Sequence, residues 1–218
     1  MSLAGLRERL VERLDPAASW SPSDRATRSD FDLNPGAVRP TGAPRPAAVL
    51  VPVIARAEGA HVLLTRRADT LASHTGQIAF PGGRIDPGET AVDAALREAR
   101  EEVALDPGTV EVLGLGDAYE TGSGFLITPV VAWLSHPPVT RPAPAEVAEV
   151  FEAPWDFLME PANHRRDFYE REGEARRWFW AMPWEERYIW GVTAGILRAL
   201  RTRLYGEAAS TVIGEDAA

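Results

Sequence analysis

Between residues 80 and 105 the chain reads FPGGRIDPGETAVDAALREAREEVAL, and acidic side chains return there at helical spacing. On a helix, Glu98 and Glu102 share a stripe with Ala91 and Ala95, and Glu101 lies one turn from Glu98 on the adjoining face. Val92, Leu96, Ala99 and Val103 form a second, apolar stripe that can bury against a core. Three carboxylates therefore project together beside a row of alanines that leaves room for something bulky. By itself the cluster also fits a solvated charged face, because Arg97 and Arg100 lie among the acids. Like charges at i,i+4 cost only ~0.2–0.5 kcal/mol per pair, so water tolerates them. The preceding glycines shift the balance. Phe80-Pro81-Gly82-Gly83 brings bare main chain to the helix start, and Pro87-Gly88 makes a second turn. Carboxylates with nearby carbonyls are the oxygen donors that a hard cation such as Mg²⁺ takes, with waters retained.

Those residues need a helix, and Thr90 to Val103 supplies it. Thr90 is its N-cap, Asp93 completes the capping-box spacing, and Pro107-Gly108 closes the segment. Ahead of it, AAVLVPVIAR (47–56) and HVLLTRR (61–67) flank AEGA as a hairpin. TVEVLGLGDA (109–118) and FLITPVVAWL (125–134) are further strands, and residues 166–182 form a hairpin around Glu172-Gly173-Glu174. Tyr188 to Leu204 carries apolar residues at helical spacing, the last long helix. Leu3, Leu6, Leu10 and Leu14 predict a short amphipathic helix docked on the body. From Asp15 to Pro46 the chain is rich in Pro, Ser, Asp and Gly, an irregular arm. The expected division is a helix and arm over 1–46, a body over 47–206 and a tail over 207–218. Strands and two substantial helices, not strictly alternating, give an α+β fold with helices on both faces of a mixed sheet.

Composition narrows the partners. The chain has 218 residues, 45 % hydrophobic and 25 % charged, the mix of a globular protein with an ample core. It has no cysteine, so disulfides and thiolate metal sites are excluded; this fits a reducing, cytoplasmic compartment. Net charge is −9 and every cation is an arginine, which argues against nucleic-acid or anionic-membrane binding. A polyanionic substrate must then be met by local arginines or bound cations. No apolar run approaches the ~20 residues of a membrane span. The opening MSLAGLRERLVERL mixes charge with leucine, so no secretory signal is expected there. Monomer and homodimer both remain open.

Residues 83–105 resemble the Nudix box, in which glycine, five residues, glutamate, seven residues, then R-E-U-x-E-E-x-G-U follow, U being a bulky aliphatic. Gly83, Glu89, Arg97, Glu98, Glu101, Glu102 and Leu105 match. Ala99 stands at a usually larger aliphatic position, and Ala104 replaces the last glycine, removing easy access to a left-handed turn. The resemblance implies a Nudix-like α/β/α sandwich, with the box as a loop–helix–loop binding Mg²⁺ or Mn²⁺. It assigns Glu98 and Glu102 as metal ligands and Glu101 as a further ligand or base. The carbonyl of Gly82 is an added ligand, and Arg97 orients the acids, Glu89 included. The implied chemistry is attack of a metal-activated water on a pyrophosphate.

Upstream, LLTRRADTLASHTGQIAFPGG (63–83) is similar to the signature of the coenzyme A pyrophosphatase subgroup. Leu63, Leu64, Thr65, Arg67, Ala68, Gly76 and Phe80 to Gly83 match, whereas Ala72 stands where the signature has a second arginine. If that arginine holds a phosphate in relatives, this protein must use another group, and Arg66 is a candidate. The implied substrate-binding set is Arg67, Arg66, Gly76, Phe80, Gly83 and Arg84. EVAEVFEAPWDFL (146–158) and YIWGVTAGIL (188–197) also look like this subgroup. Plainer roles compete with several of these. His74 can simply order its loop, Arg67 can form a surface ion pair, and Phe80 and the run Arg177-Trp178-Phe179-Trp180 can pack the core or stack on adenine. Glu146, Glu149 and Glu152 are surface acids by default, with a second-loop base as the alternative. The expected activity is hydrolysis of coenzyme A or its thioesters at the pyrophosphate. Rivals are the same chemistry on ADP-ribose or a nucleoside triphosphate, and a non-catalytic nucleotide-binding module.

Overall fold

A computed structural model describes residues 1–22, 24–68, 76–170, 173 and 175–207. In chain order the regular elements are α1 (Leu3–Arg13), β1 (Arg28–Ser29), β2 (Arg45–Arg56), β3 (Gly59–Arg67), β4 (Ile78–Ala79), β5 (Gly82–Arg84) and α2 (Ala91–Val103). They continue with β6 (Glu111–Leu115), β7 (Tyr119–Glu120), β8 (Phe125–Leu134), β9 (Val147–Pro154), α3 (Trp155–Met159), β10 (Arg165–Tyr169), β11 (Arg177–Trp184), β12 (Arg187–Trp190) and α4 (Val192–Tyr205). Among the described residues, nine strands form one mixed sheet. Its spine is the parallel pair β2–β8, in register from Arg45–Phe125 to Ile54–Leu134, with β3 antiparallel to both β2 and β9.

Strand periodicity sorts the core into two halves. On β2, β3 and β8, Val51, Val53, Val62, Leu64, Val131 and Trp133 face one way, with the leucines of α1 and the apolar residues of α3 and α4. Ala48, Leu50, Ile54, Leu63, Val130, Ala132 and Leu134 face the other way, against α2. A sheet buried on both faces must be apolar at consecutive positions, which is why these strands read as continuous apolar runs. The result is the α/β/α sandwich expected.

The β2–β3 hairpin and the strand 125–134 stand where the sequence puts them, as does α2. The Thr90 hydroxyl accepts from Asp93 N–H at 3.2 Å and the Asp93 carboxylate from Thr90 N–H at 2.9 Å, closing the capping box. Helix α1 docks as expected, through Leu6, Leu10 and Leu14. Of the expected hairpin turn Glu172-Gly173-Glu174, only Gly173 lies within the described residues.

Four expectations need correction. The last helix begins at Val192, because residues 187–190 pair with β11 and Gly191, at φ 64°, separates strand from helix. The strand expected over 109–118 shortens to Glu111–Leu115, after a 3₁₀ turn at Pro107–Thr109. The arm is irregular yet docked: β1 pairs parallel with β7, Phe31 is buried, and the Asn34 side chain bonds both ways to the Trp178 main chain at 2.8 Å. On α2, finally, Ala91, Ala94, Ala95, Ala99, Glu102 and Val103 bury, while Val92 and Leu96 stay half-buried. The alanines therefore make no room for a ligand; their small side chains let the helix lie close to the sheet.

Ala104 adopts the left-handed conformation itself, at φ 56° and ψ 29°, and its N–H reaches the Arg100 carbonyl at 3.0 Å. The Nudix-box glycine is thus replaced without changing the turn, at the steric cost an L-residue meets there. Ala104→Gly should relieve that strain, less the glycine's greater unfolded entropy, for a net gain of ~0.5–1 kcal/mol. Thermal unfolding should show Tm rising by about 2 °C; an unchanged or lower Tm would mean the turn is unstrained.

Candidate active site

Two glycines set the distance between β5, the sheet and α2. A Cβ at Gly82 would stand 2.4 Å from the Ala48 carbonyl oxygen, and one at Gly83 would stand 2.4 Å from a Glu98 carboxylate oxygen. At Gly82 only hydrogen fits, and at Gly83 a Cβ would push the Glu98 carboxylate out of its place. Gly82–Arg84 is accordingly a strand, antiparallel to the start of β2, rather than the open loop expected. Across this contact the Gly82 N–H donates to Glu102 at 3.3 Å.

Arg97 uses all five of its N–H donors, four of them to bind the acids together. Its Nε and Nη2 grip Glu89 in a fork at 2.7 and 3.0 Å, and Nη2 also donates to the Arg84 carbonyl at 3.0 Å. Nη1 donates to Glu98 at 2.7 Å and to Glu101 at 3.4 Å. The Asp86 N–H completes the shell of Glu89 at 2.9 Å. These bonds favour charge on both sides: Arg97 holds the Glu89 carboxyl below its usual range, and Glu89 followed by Glu98 raises the guanidinium pKa. The contact expected between Arg97 and Glu89 is present.

Glu102 stands apart from this network. It is 6 % exposed, and its pKa is pushed up to about 7, chiefly by burial and further by the charges of Glu98 and Glu146. The Gly82 N–H and the guanidinium of Arg67 act in the opposite direction. Arg67 closes β3 at a register shift, and its Nε is buried with no hydrogen-bond partner. The geometry thus places an underused guanidinium within electrostatic reach of a buried carboxylate.

The other candidates divide. Arg66 pairs with Glu149 at 3.4 Å, and Glu149 also pairs with Arg187 at 2.6 Å, a residue sequence reasoning passed over. Glu152 pairs with Arg56 at 2.6 Å. Glu149 and Glu152 are therefore structural acids, while Glu146 is the one whose charge reaches Glu102. Gly76 has φ 68°, a conformation suited to glycine, just before β4. The guanidinium of the exposed Arg84 lies 5.8 Å from the Phe125 ring centroid, and its carbonyl serves Arg97. Phe80 is buried in the larger core cluster, so it packs rather than offering a face to substrate, which corrects its place among the binding residues. His74 and Ala72 lie outside the described residues.

The NUDIX domain family model matches residues 44–179, more than half of the chain. The chain belongs to the Nudix hydrolase family. A protein of Pectobacterium atrosepticum named "Uncharacterized Nudix hydrolase NudL" is 37 % identical over 191 residues, covering 87 % of this chain and 97 % of that one. Its namesake in Escherichia coli SMS-3-5 is 41 % identical over 175 residues, covering 79 % and 89 %. Among solved structures, a Nudix hydrolase from M. smegmatis, RenU, is 27 % identical over 53 % of this chain and 73 % of its own, with a TM-score of 0.43.

Nudix hydrolases generally use divalent metal ions. Among the described residues no three His, Cys, Asp or Glu side chains already form a metal cage, since Arg97 engages Glu98 and Glu101. The donor set nevertheless fits a hard cation in kind and charge: all its atoms are oxygens, and the buried Glu102 carries a charge its surroundings oppose. That opposition is measurable in metal-free protein. Folded Glu102 keeps its proton to about pH 7, whereas the unfolded chain releases it near the ordinary 4.5. Its contribution to stability is therefore present below pH 4.5 and lost as pH rises through 7. Glu102→Gln should leave Tm near wild type at pH 5 and exceed it at pH 8, by on the order of 2 kcal/mol in stability. Parallel Tm–pH curves for the two proteins would show that burial does not oppose this charge.

Proposed function

We propose that this hydrolase cleaves the pyrophosphate of coenzyme A or its acyl thioesters, releasing 3′,5′-ADP and 4′-phosphopantetheine or its acylated form. The observation that carries the reading is Arg67. It is the arginine of the LLTxR signature that precedes FPGG, and here it has a donor without a partner beside the box acid Glu102. A guanidinium so placed suits a phosphate oxygen, which it can meet with two parallel N–H groups.

Glu98 and Glu102 would hold the cation, Mg²⁺ or Mn²⁺, with the Gly82 carbonyl as a further donor. When bound, the cation neutralises the pyrophosphate and lowers the pKa of a water. The chain's own residues do the rest. Arg97 keeps the carboxylates aimed, and Arg67 and Arg84 fix the diphosphate. Glu101, the most exposed of the three box acids, accepts the proton of the attacking water. The water oxygen bonds to phosphorus, the bridging P–O bond breaks, and its electron pair leaves with the second phosphate. A chain of net charge −9 can favour a polyanion only through such local placement of arginine.

Glu98→Gln keeps the shape and removes the charge, so turnover should fall by orders of magnitude while the fold survives. Near-wild-type turnover at saturating metal would remove the carboxylate helix from the mechanism. Substrate class is tested by kcat/KM for coenzyme A against ADP-ribose, which lacks the 3′-phosphate and pantetheine arm. A buried polar contact left unpaired costs ~1–3 kcal/mol, so the ratio should be at least about tenfold. Arg67→Ala should shrink it. Comparable values for both substrates in the wild type would leave only the family chemistry standing.

A further inference from the structure

The three-stranded sheet β10–β11–β12 has two unlike faces. Strand alternation on β11 puts Trp178, Trp180, Met182 and Trp184 on one side and Arg177, Phe179, Ala181 and Pro183 on the other. Met182 and Ile189 are fully buried, and Trp180 and Trp184 pack on the same core, so the first side faces inward from Trp180 onward, while Trp178 and the exposed Phe168 opposite it lie outside that core. On the other side the register sets Tyr169 opposite Arg177, Asp167 opposite Phe179, and both Arg165 and Trp190 opposite Ala181. The Tyr169 and Phe179 rings lie 6.0 Å apart and those of Phe179 and Trp190 5.0 Å, a diagonal row that crosses all three strands. Tyr188 adds a fourth ring, its hydroxyl donating to Asp167. None of Tyr169, Phe179 and Trp190 belongs to either core cluster, and Tyr169 is 41 % exposed. Scattered surface rings need no explanation, but a contiguous row of them does.

The row leads to the box. A Cβ on Gly191, next to Trp190, would stand 3.6 Å from the Gln77 amide nitrogen, and the Thr193 hydroxyl donates to the Ile78 carbonyl at 2.9 Å. On its other side Gln77 accepts, at its carbonyl, the N–H of Arg67 at 3.0 Å. Two residues, Gly191 and Gln77, thus link the aromatic row to the main chain of Arg67, whose charge reaches Glu102. Arg165 and Arg177 flank the row, in a chain whose net charge is −9. Stacked rings accept the flat face of a base, and guanidinium groups at the margin favour one that carries phosphate.

We infer that this face, Tyr169, Phe179 and Trp190 with Arg165 and Arg177, seats the purine base of the phosphate-bearing substrate; the assignment rests on the hydrolase reading above. The diphosphate then lies toward Arg67, and the base extends along the sheet away from the carboxylates. A second copy of the chain is the other occupant an aromatic face could take, and the test separates the two.

Calorimetric titration of the full-length protein with adenosine 3′,5′-bisphosphate and, separately, with inorganic pyrophosphate reads the base and the phosphates apart. Phe179→Leu and Trp190→Leu keep apolar volume and remove the ring. Each should weaken the bisphosphate about tenfold and change pyrophosphate affinity by less than about twofold. The more exposed Tyr169→Ser, which threatens the fold least, should weaken only the bisphosphate, by about threefold. Equal weakening of both ligands, or an unchanged bisphosphate affinity in all three variants, overturns the assignment. So does sedimentation showing a wild-type dimer that the variants split while nucleotide affinity is kept, which would give the face to a second copy. If the wild type binds the bisphosphate in this ring-dependent way yet does not hydrolyse coenzyme A, the substrate reading fails and the base platform stands.

Discussion

A single guanidinium holds the acidic end of this molecule together. Arg97 spends each of its N–H donors on Glu89, Glu98, Glu101 and the Arg84 carbonyl. Without it, glutamates on adjoining helical turns would repel one another and turn outward to water. With it, the loop that carries Glu89 is tied to the middle of α2, eight residues on, and the carboxylates share one aim. Gly82 and Gly83 make the arrangement possible by steric absence, since any side chain there would strike the β2 main chain or Glu98 itself. A charge hub and two missing side chains thus act as one constraint.

The electrostatics of the site are lopsided by design of the fold. Glu98 and Glu101 are engaged by Arg97, whereas Glu102 is packed beneath the β5 strand with one main-chain donor and has its charge opposed by burial. Buried carboxylates with raised pKa cost stability unless something positive joins them, and such groups gather where chemistry is done. The charge of Arg67 acts on Glu102 in the opposite direction, and its Nε is itself unmatched.

Beyond the box, the C-terminal sheet and the N-terminal arm lock each other in place. Asn34 supplies both partners to the Trp178 main chain, and the half-buried Asp30 accepts from the Tyr119 hydroxyl at 2.8 Å and the Gly122 N–H at 2.7 Å. Irregular backbone has no ladder to satisfy its polar groups, so side chains of this kind must do it. The arm is thereby part of the folded body, and it steadies the β11 strand that carries the aromatic face.

Local patterns were legible where a single stretch of chain settles its own structure. The capping box at Thr90 and Asp93, the turn between β2 and β3, the strand 125–134 and the docking leucines of α1 follow from spacing and backbone chemistry alone. The box acids and their arginine were legible too, because seven matched positions lie within one short stretch of chain, Gly83 to Leu105. Burial across the fold was not. Which side of α2 turns inward depends on how closely β5 approaches, so the alanines read as open space became the helix–sheet contact. Tyr188 to Trp190 carries a helical pattern, yet β11 offers these residues a strand partner and Gly191 breaks the continuity. Glu149 and Glu152 became ion-pair partners, and Glu146 a neighbour of Glu102, through pairings that join β9 and the segment before it to distant elements. The sequence by itself determined which residues could do the chemistry, because ligand type and helical spacing are local properties. Tertiary structure alone decided which of them meet and how deeply each is buried, because burial and pairing are set by contacts between segments far apart in the chain.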